Sequence, residues 1–168
     1  MTYYSPFKIN NQQKKELTSS SNKVVVKRLS GSGGKNVNFI DADRVNDNLS
    51  TENIVQKIDG KTGVDYRYNV IGNKVVSVFK RTSSNPNEPR ANVALGGKEE
   101  EIQSDPDFEK VALSAARALG VEDCAGIDLI DGCKVLEVNA VPGFSPLPER
   151  KEEICKAIID TAVKKAAL

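Results

Sequence analysis

The chain has 168 residues, enough to bury a core as one domain or as two small ones. Its 24 lysines and arginines meet 23 aspartates and glutamates, and the net charge of +1 argues against general nucleic-acid binding. There is no histidine, which removes Ser-His and Cys-His nucleophile pairs and most zinc sites, and no apolar run suits a membrane span.

In chain order, residues 1–22 are polar and read as a poorly ordered arm. Val24-Val25-Val26 opens a β-branched strand that runs into Gly31-Ser32-Gly33-Gly34, and residues 37–40 return from it. Residues 41–51 are mixed. Residues 54–58 read as a strand, followed by a turn at residues 59–63. Residues 64–70 and 74–80 form a hairpin closed by Gly72-Asn73. Residues 82–89 and Gly96-Gly97 are loops. A helix is expected over residues 105–119, capped by Ser104 or Asp105, with Pro106 in its first turn and Gly120 ending it. A second hairpin follows, and a helix over about residues 149–167 closes the chain. Strands first, then helix, hairpin and helix, is an α+β order. Cys124, Cys133 and Cys155 lack Cys-x-x-Cys spacing, each reads as a small buried hydrophobe, and together with the absence of a signal-like segment they fit a cytoplasmic protein.

The second hairpin concentrates chemistry. Asp131-Gly132 suits a two-residue turn, which would set Asp128 opposite Val135 and place Asp128, Val135, Glu137 and Asn139 on one face. Two carboxylates and an amide oxygen on one patch form a hard oxygen set of the kind that holds Mg²⁺ beside substrate phosphates. The same spacing also suits a half-exposed hairpin with polar residues in water. Elsewhere, the glycine cluster can turn backbone N–H groups toward a phosphate, or be a flexible hairpin tip. It is not a Walker A loop, which would need Gly at Leu29 and Ser or Thr at Asn36. Lys27 can reach a phosphate as a point charge, or be a solvated edge lysine. Arg81 and Arg90 flank one loop, and their forks suit phosphoryl or carboxylate oxygens.

Taken together, these pieces resemble an ATP-grasp ligase of the RimK type. Val26-Lys27 with the glycine loop is similar to that family's phosphate-covering hairpin. Ile54-Val55-Gln56 is similar to the strand entering its adenine linker. Asp65-x-Arg67, Arg90-x-Asn92 with Gly96-Gly97, Ala125-Gly126-Ile127-Asp128, and Glu137-Val138-Asn139-Ala140-x-Pro142-Gly143 follow in the family's order. The resemblance implies ATP on Lys27, Gly31, Gly33, Gly34, Gln56, Lys57, Ile58, Asp65, Arg90 and Asn92. It implies Mg²⁺ or Mn²⁺ on Asp128, Glu137 and Asn139, and charge-neutralising catalytic roles for Arg81 and Arg90.

It further implies carboxylate–amine ligation through an acyl phosphate, with a small-molecule or peptide carboxylate and an amino-acid amine as partners. The expected architecture is a truncated lid subdomain over residues 23–58 and a larger antiparallel sheet with helices on one face over residues 59–168. Against complete enzymes of the group, the amino-terminal domain and first ATP-grasp segment are expected to be missing. The alternative expectation is therefore a degenerate or split half, completed by a homo-oligomer or a second chain, that binds nucleotide without ligating alone. Lys57 stands where the family usually has Glu, and Phe144-Ser145-Pro146-Leu147-Pro148 replaces a glycine-rich acceptor segment.

Overall fold

The computed structural model describes residues 2–5, 8–19, 21–30, 36–143 and 150–167. They build two antiparallel sheets. The first has the order β1-β4-β2-β3, with β1 at Thr2–Ser5, β2 at Lys23–Arg28, β3 at Val37–Asp41 and β4 at Asn53–Lys57. The valine triple makes β2 a central strand, buried on both sides. Val24 and Val26 face a core with Ile9, Leu17, Ala42, Val45 and Val55, while Val25 faces the other way.

Among the described residues of the amino-terminal stretch, expected as a polar arm, are a strand and a short helix. A helix α1, Asn11–Leu17, starts on a reciprocal capping box between Asn10 and Gln13. Ile9 and Leu17, at either end of it, are both buried. Asn46 ties the stretch down: its side chain accepts from Ile9 N and donates to Ile9 O. Two apolar residues and a cap suffice for a short helix, and β1 adds to β4 through backbone bonds that need no apolar pattern. The mixed segment after β3 is a 3-10 helix, Ala42–Asn48, with Ala42 and Val45 buried under the sheet.

The second sheet has the order β7-β6-β5-β8-β9. Its strands are β5 Val64–Ile71, β6 Lys74–Thr82, β7 Lys98–Glu101, β8 Cys124–Ile130 and β9 Lys134–Asn139. Gly72 and Asn73 both take positive φ, as the tight β5–β6 turn requires. Strand β7 escapes the sequence pattern because Lys-Glu-Glu-Glu has no apolar alternation. It pairs with β6 as a charged edge strand.

Helix α2, Pro106–Ala118, is capped by Asp105, which accepts from the amides of Asp107 and Phe108. Its fully buried Ala112 and Ala116 let it sit close to Tyr68, Ile127 and Leu129. Phe108 meets Tyr66 edge-on at 5.2 Å and stacks on Tyr68 at 6.3 Å. Tyr66 and Tyr68 thus occupy the helix side of β5 and leave Asp65 and Arg67 to the other side. Helix α3, Lys151–Ala166, is anchored by Arg150, which donates to Glu101 at 2.9 Å and to the Val76 carbonyl at 2.7 Å. None of the cysteines is fully buried: Cys124 and Cys133 are half-buried and Cys155 is exposed, so the expectation of buried hydrophobes fails for all three. Among the described residues no helix is long and apolar enough to cross a membrane.

Candidate functional site

A cleft of about 530 Å³ opens between the two sheets. Its wall on the first sheet follows from register. Val25 pairs with Phe39 and with Gln56, and Lys27 pairs with Val37 and with Ile54. Directly paired residues share a face, so this one face carries an apolar floor with Lys27 and Gln56 on it. Lys57, Ile58 and Asp59 line the connection between the sheets. The second sheet contributes Asp65, Arg81, Arg90, Asn92, Asp128 and Glu137. The structure thus brings Lys27, Gln56, Lys57, Ile58, Asp65, Arg81, Arg90, Asn92, Asp128 and Glu137 to one cleft. Asn139 does not line it. The expected loop residues Gly31, Gly33 and Gly34 lie outside the described residues.

The β8–β9 hairpin differs from the expected two-residue turn. Ile130 pairs with Lys134, so the loop is the three residues Asp131, Gly132 and Cys133, with Gly132 and Cys133 at positive φ. Leu129 then pairs with Val135. Leu136 is the extra residue of a bulge, so Asp128 stands opposite Glu137 and Gly126 opposite Asn139. The three polar residues share a face, as the shorter turn would also have placed them, because the extra loop residue and the bulge together shift the register by two, an even step that keeps the face. Val135 is opposite Leu129 and not Asp128.

A buried chain of charges runs along the cleft's wall on the second sheet. Arg67 donates from Nε to Asp128 Oδ1 and from Nη2 to Oδ2, the latter at 2.8 Å. Arg81 donates from Nε to Asp65 Oδ1 at 2.5 Å. Its Nη2 sits 2.9 Å from Asp128 Oδ1 as an ion pair, without the alignment of a hydrogen bond. Asp65, Arg81 and Asp128 are nearly inaccessible, which is tolerable only because each charge has an opposite neighbour. Burial pushes the Asp65 carboxyl above its ordinary range, against the pull of Arg81. Burial alone would lower Arg81, but Asp128 and Asp65 together outweigh it and hold the guanidinium charged.

Lys27 faces this group from the other sheet. Burial holds its ammonium below its ordinary value, and the opposing charges of Glu137 and Asp128 offset part of that.

Two further features of the site, the grip on Arg90 and the close approach at Gly97, were not visible in the sequence, which had named both residues. Arg90 is gripped by Glu88 through both carboxylate oxygens, at 2.6 and 2.7 Å, and its Nη1 donates to the Val37 carbonyl on the first sheet at 3.3 Å. A Cβ on Gly97 would fall 2.3 Å from the Ala91 carbonyl oxygen, so only glycine fits the loop that carries Arg90 and Asn92. Strand parity would have assigned Val25 and Phe39 to the cleft once the β2–β3 register was known. Nothing in the sequence marks Glu88.

A small sheet closing over a larger antiparallel sheet, with a lysine on one wall and carboxylates on the other, is the architecture of an ATP-grasp fold, and solved ATP-grasp ligases superpose on this chain. The RimK-like ATP-grasp domain model matches residues 8–162, and the chain belongs to that family. It is 33% identical over 153 residues to "Probable alpha-L-glutamate ligase 2" of Hahella chejuensis, an alignment covering 84% of this chain and 50% of the relative. The chain therefore spans about half the length of the curated relatives it matches. It superposes with a TM-score of 0.66 on the ATP-grasp ligase PsnB complexed with a phosphomimetic variant of minimal precursor, Mg and ADP, at 18% identity and covering 95% of this chain and 52% of that one. The D-alanine–D-alanine ligase from Bacillus anthracis complexed with ATP gives a TM-score of 0.65, again at 18% identity, covering 98% and 58%.

Proposed function

We propose that the cleft binds ATP with Mg²⁺ and serves the ligation of a carboxylate to an amine. The observation that carries this reading is the meeting of Lys27 from one sheet with Asp128 and Glu137 from the other across a single cleft. The apolar face of Val25, Phe39 and Ile54 offers a base a dry surface. Lys27 supplies a point charge to a phosphate.

The donor set fits Mg²⁺. Among the described residues no cluster of three or more acidic, histidine or cysteine side chains could hold a metal by itself. Asp128 and Glu137 are two carboxylates directly opposite one another, and Asn139 is the next polar residue on that face. Mg²⁺ keeps several waters and takes phosphate oxygens into its shell, so an incomplete protein set is what it needs. Asn139 Nδ2 is buried without a partner. Flipping that amide puts an acceptor oxygen in its place. Bound there, the ion would offset charge on the phosphate oxygens.

In the proposed reaction, a carboxylate oxygen of the substrate attacks the terminal phosphorus of ATP. The bond to the ADP oxygen breaks and an acyl phosphate forms. An amine then attacks the acyl carbon, phosphate leaves, and the nitrogen gives up a proton to yield the amide. Arg81 and Arg90 contribute fixed positive charge near the transferring group, and closure of the two sheets keeps water from the acyl phosphate. No side chain acts as nucleophile, in keeping with a chain that lacks histidine. The relatives' names make glutamate the first amine donor to test.

Calorimetry with ADP and a non-hydrolysable ATP analogue, with and without Mg²⁺, tests the reading. Metal-dependent binding that is lost in Glu137→Ala and weakened in Lys27→Ala is expected. Binding unchanged in both variants would overturn the reading. Nucleotide binding without ligation is the second reading. It is favoured by the engagement of both Asp128 oxygens by arginine, which leaves an ion little open capacity there, and nucleotide binding with no amide product from the carboxylates tried with glutamate would support it.

A further inference from the structure

We propose that Arg67 is a positioning residue for Asp128, and that residue 126 is glycine so that Arg67 can be seated. This rests on the Mg²⁺–nucleotide reading above. Arg67 does not line the cleft, whereas Asp128 does, so Arg67 acts on whatever occupies the cleft through Asp128.

The two stand directly opposite on β5 and β8, and Asp128 in turn stands opposite Glu137 on β9. The guanidinium fork meets both carboxylate oxygens side by side, which fixes the tilt and the rotation of the carboxylate together. Lone pairs then decide which oxygen is left for the cleft. Asp128 Oδ1 has Arg67 Nε on it and Arg81 Nη2 at 2.9 Å. Oδ2 receives only Arg67 Nη2 among the described residues. Each oxygen accepts one hydrogen bond from Arg67, but the Arg81 charge crowds Oδ1, so Oδ2, with an acceptor direction left and no second cation beside it among those residues, is the atom presented to a cation.

Gly126 makes this geometry possible. A Cβ there would lie 2.9 Å from Arg67 Nη1, 3.2 Å from Arg67 Cδ and 2.9 Å from Pro142 Cβ. The arginine passes over the bare backbone of β8, and any side chain would push its fork off Asp128. Lysine at position 67 would carry the charge but could not hold both oxygens.

The test is Mn²⁺ binding to the protein–ADP complex, read by electron paramagnetic resonance, with ADP affinity in EDTA measured alongside. Arg67→Ala and Gly126→Ala are expected to weaken Mn²⁺ binding roughly 10–100-fold, the usual scale for removing a residue that orients a metal ligand. Metal-free ADP affinity stays as in the wild type. Arg67→Lys recovers only part of the loss. Added guanidinium ion restores Arg67→Ala, whose fork is missing, but not Gly126→Ala, whose fork is displaced. If Arg67→Ala fails to fold, Gly126→Ala and Arg67→Lys carry the comparison. Wild-type Mn²⁺ affinity in the variants, or an equal loss of ADP affinity with and without metal, overturns the proposal while leaving the nucleotide reading intact. A wild-type protein that binds no Mn²⁺–ADP overturns both.

Discussion

Glu88 holds Arg90 two residues later in a bidentate pair, with its Oε1 also accepting from the Arg90 amide at 3.0 Å. The arginine named by the Arg-x-Asn signature therefore reaches the cleft already oriented. Its remaining amino group leans on the Val37 carbonyl of the opposite sheet. A signature residue is thus part of the joint between the two bodies.

That pair makes a pH prediction. The hydrogen bond from Arg90 holds the Glu88 carboxyl below its ordinary 4.5. A carboxyl lowered on folding contributes stability that is full above 4.5 and is lost as pH falls through the folded value. Urea unfolding of wild type and Glu88→Gln should differ most near pH 6, and the difference should shrink as pH falls below 4.5. Parallel curves down to pH 3 would contradict the pairing.

Lys27 should show the same sign in a higher pH range, for the opposite reason: folding disfavours its charged form. Its folded value lies below the free value of 10.5, with burial the leading cause. Between the two values the unfolded chain binds more protons, so stability rises with pH there. Lys27→Met should flatten that rise and leave stability at pH 7 equal or higher. The same variant should lose roughly tenfold or more in ADP affinity, the scale of one charge-assisted hydrogen bond of about 1.5–3 kcal/mol. Thermal melts and calorimetry on one preparation check both halves.

Asp128 and Glu137 stand opposite one another yet should respond differently to mutation. Asp128 is buried between two arginines, and removing one member of such a group costs about 3–5 kcal/mol. Glu137 is exposed, and Glu137→Ala should change stability by no more than about 0.5 kcal/mol. Both should abolish metal-dependent nucleotide binding. A stable Asp128→Ala protein would argue against the buried charge chain.

Gly97→Ala places a methyl group 2.3 Å from a backbone oxygen that cannot swing aside. The loop must open, at a cost of about 1–3 kcal/mol. Because that loop carries Asn92 and Arg90, nucleotide affinity should fall with it. Gly96→Ala, whose Cβ would meet nothing within 4 Å, isolates the effect of its positive φ alone.

How far the sequence could be read depended on what local pattern can carry. The valine triple, the Gly72-Asn73 turn and the Asp105-Pro106 cap are local signals, and the elements they mark formed close to where they were expected. Strand β7 and helix α1 are held by backbone pairing and by two buried residues, so periodicity does not reveal them. That Asp128 and Glu137 share a face was reached through a turn one residue too short, because the extra loop residue and the Leu136 bulge together shift the register by an even two residues. The roles of Arg67, named only as part of Asp65-x-Arg67, and of Glu88 stayed hidden because they are set by partners 61 residues away and two residues away, through side-chain geometry alone.

Among the described residues the two sheets keep separate cores, and no buried residue belongs to both. Each body can therefore open without dismantling the other, in the manner of independent foldons. Hydrogen exchange should show the first sheet, whose core is small aliphatic residues, trading its amides sooner than the aromatic-lined second sheet. A ligand clasped between them binds only when both are folded, so it adds its binding energy to the weaker body and draws two melting events toward one. The same cleft that receives a nucleotide then decides whether the chain unfolds in halves or as a whole.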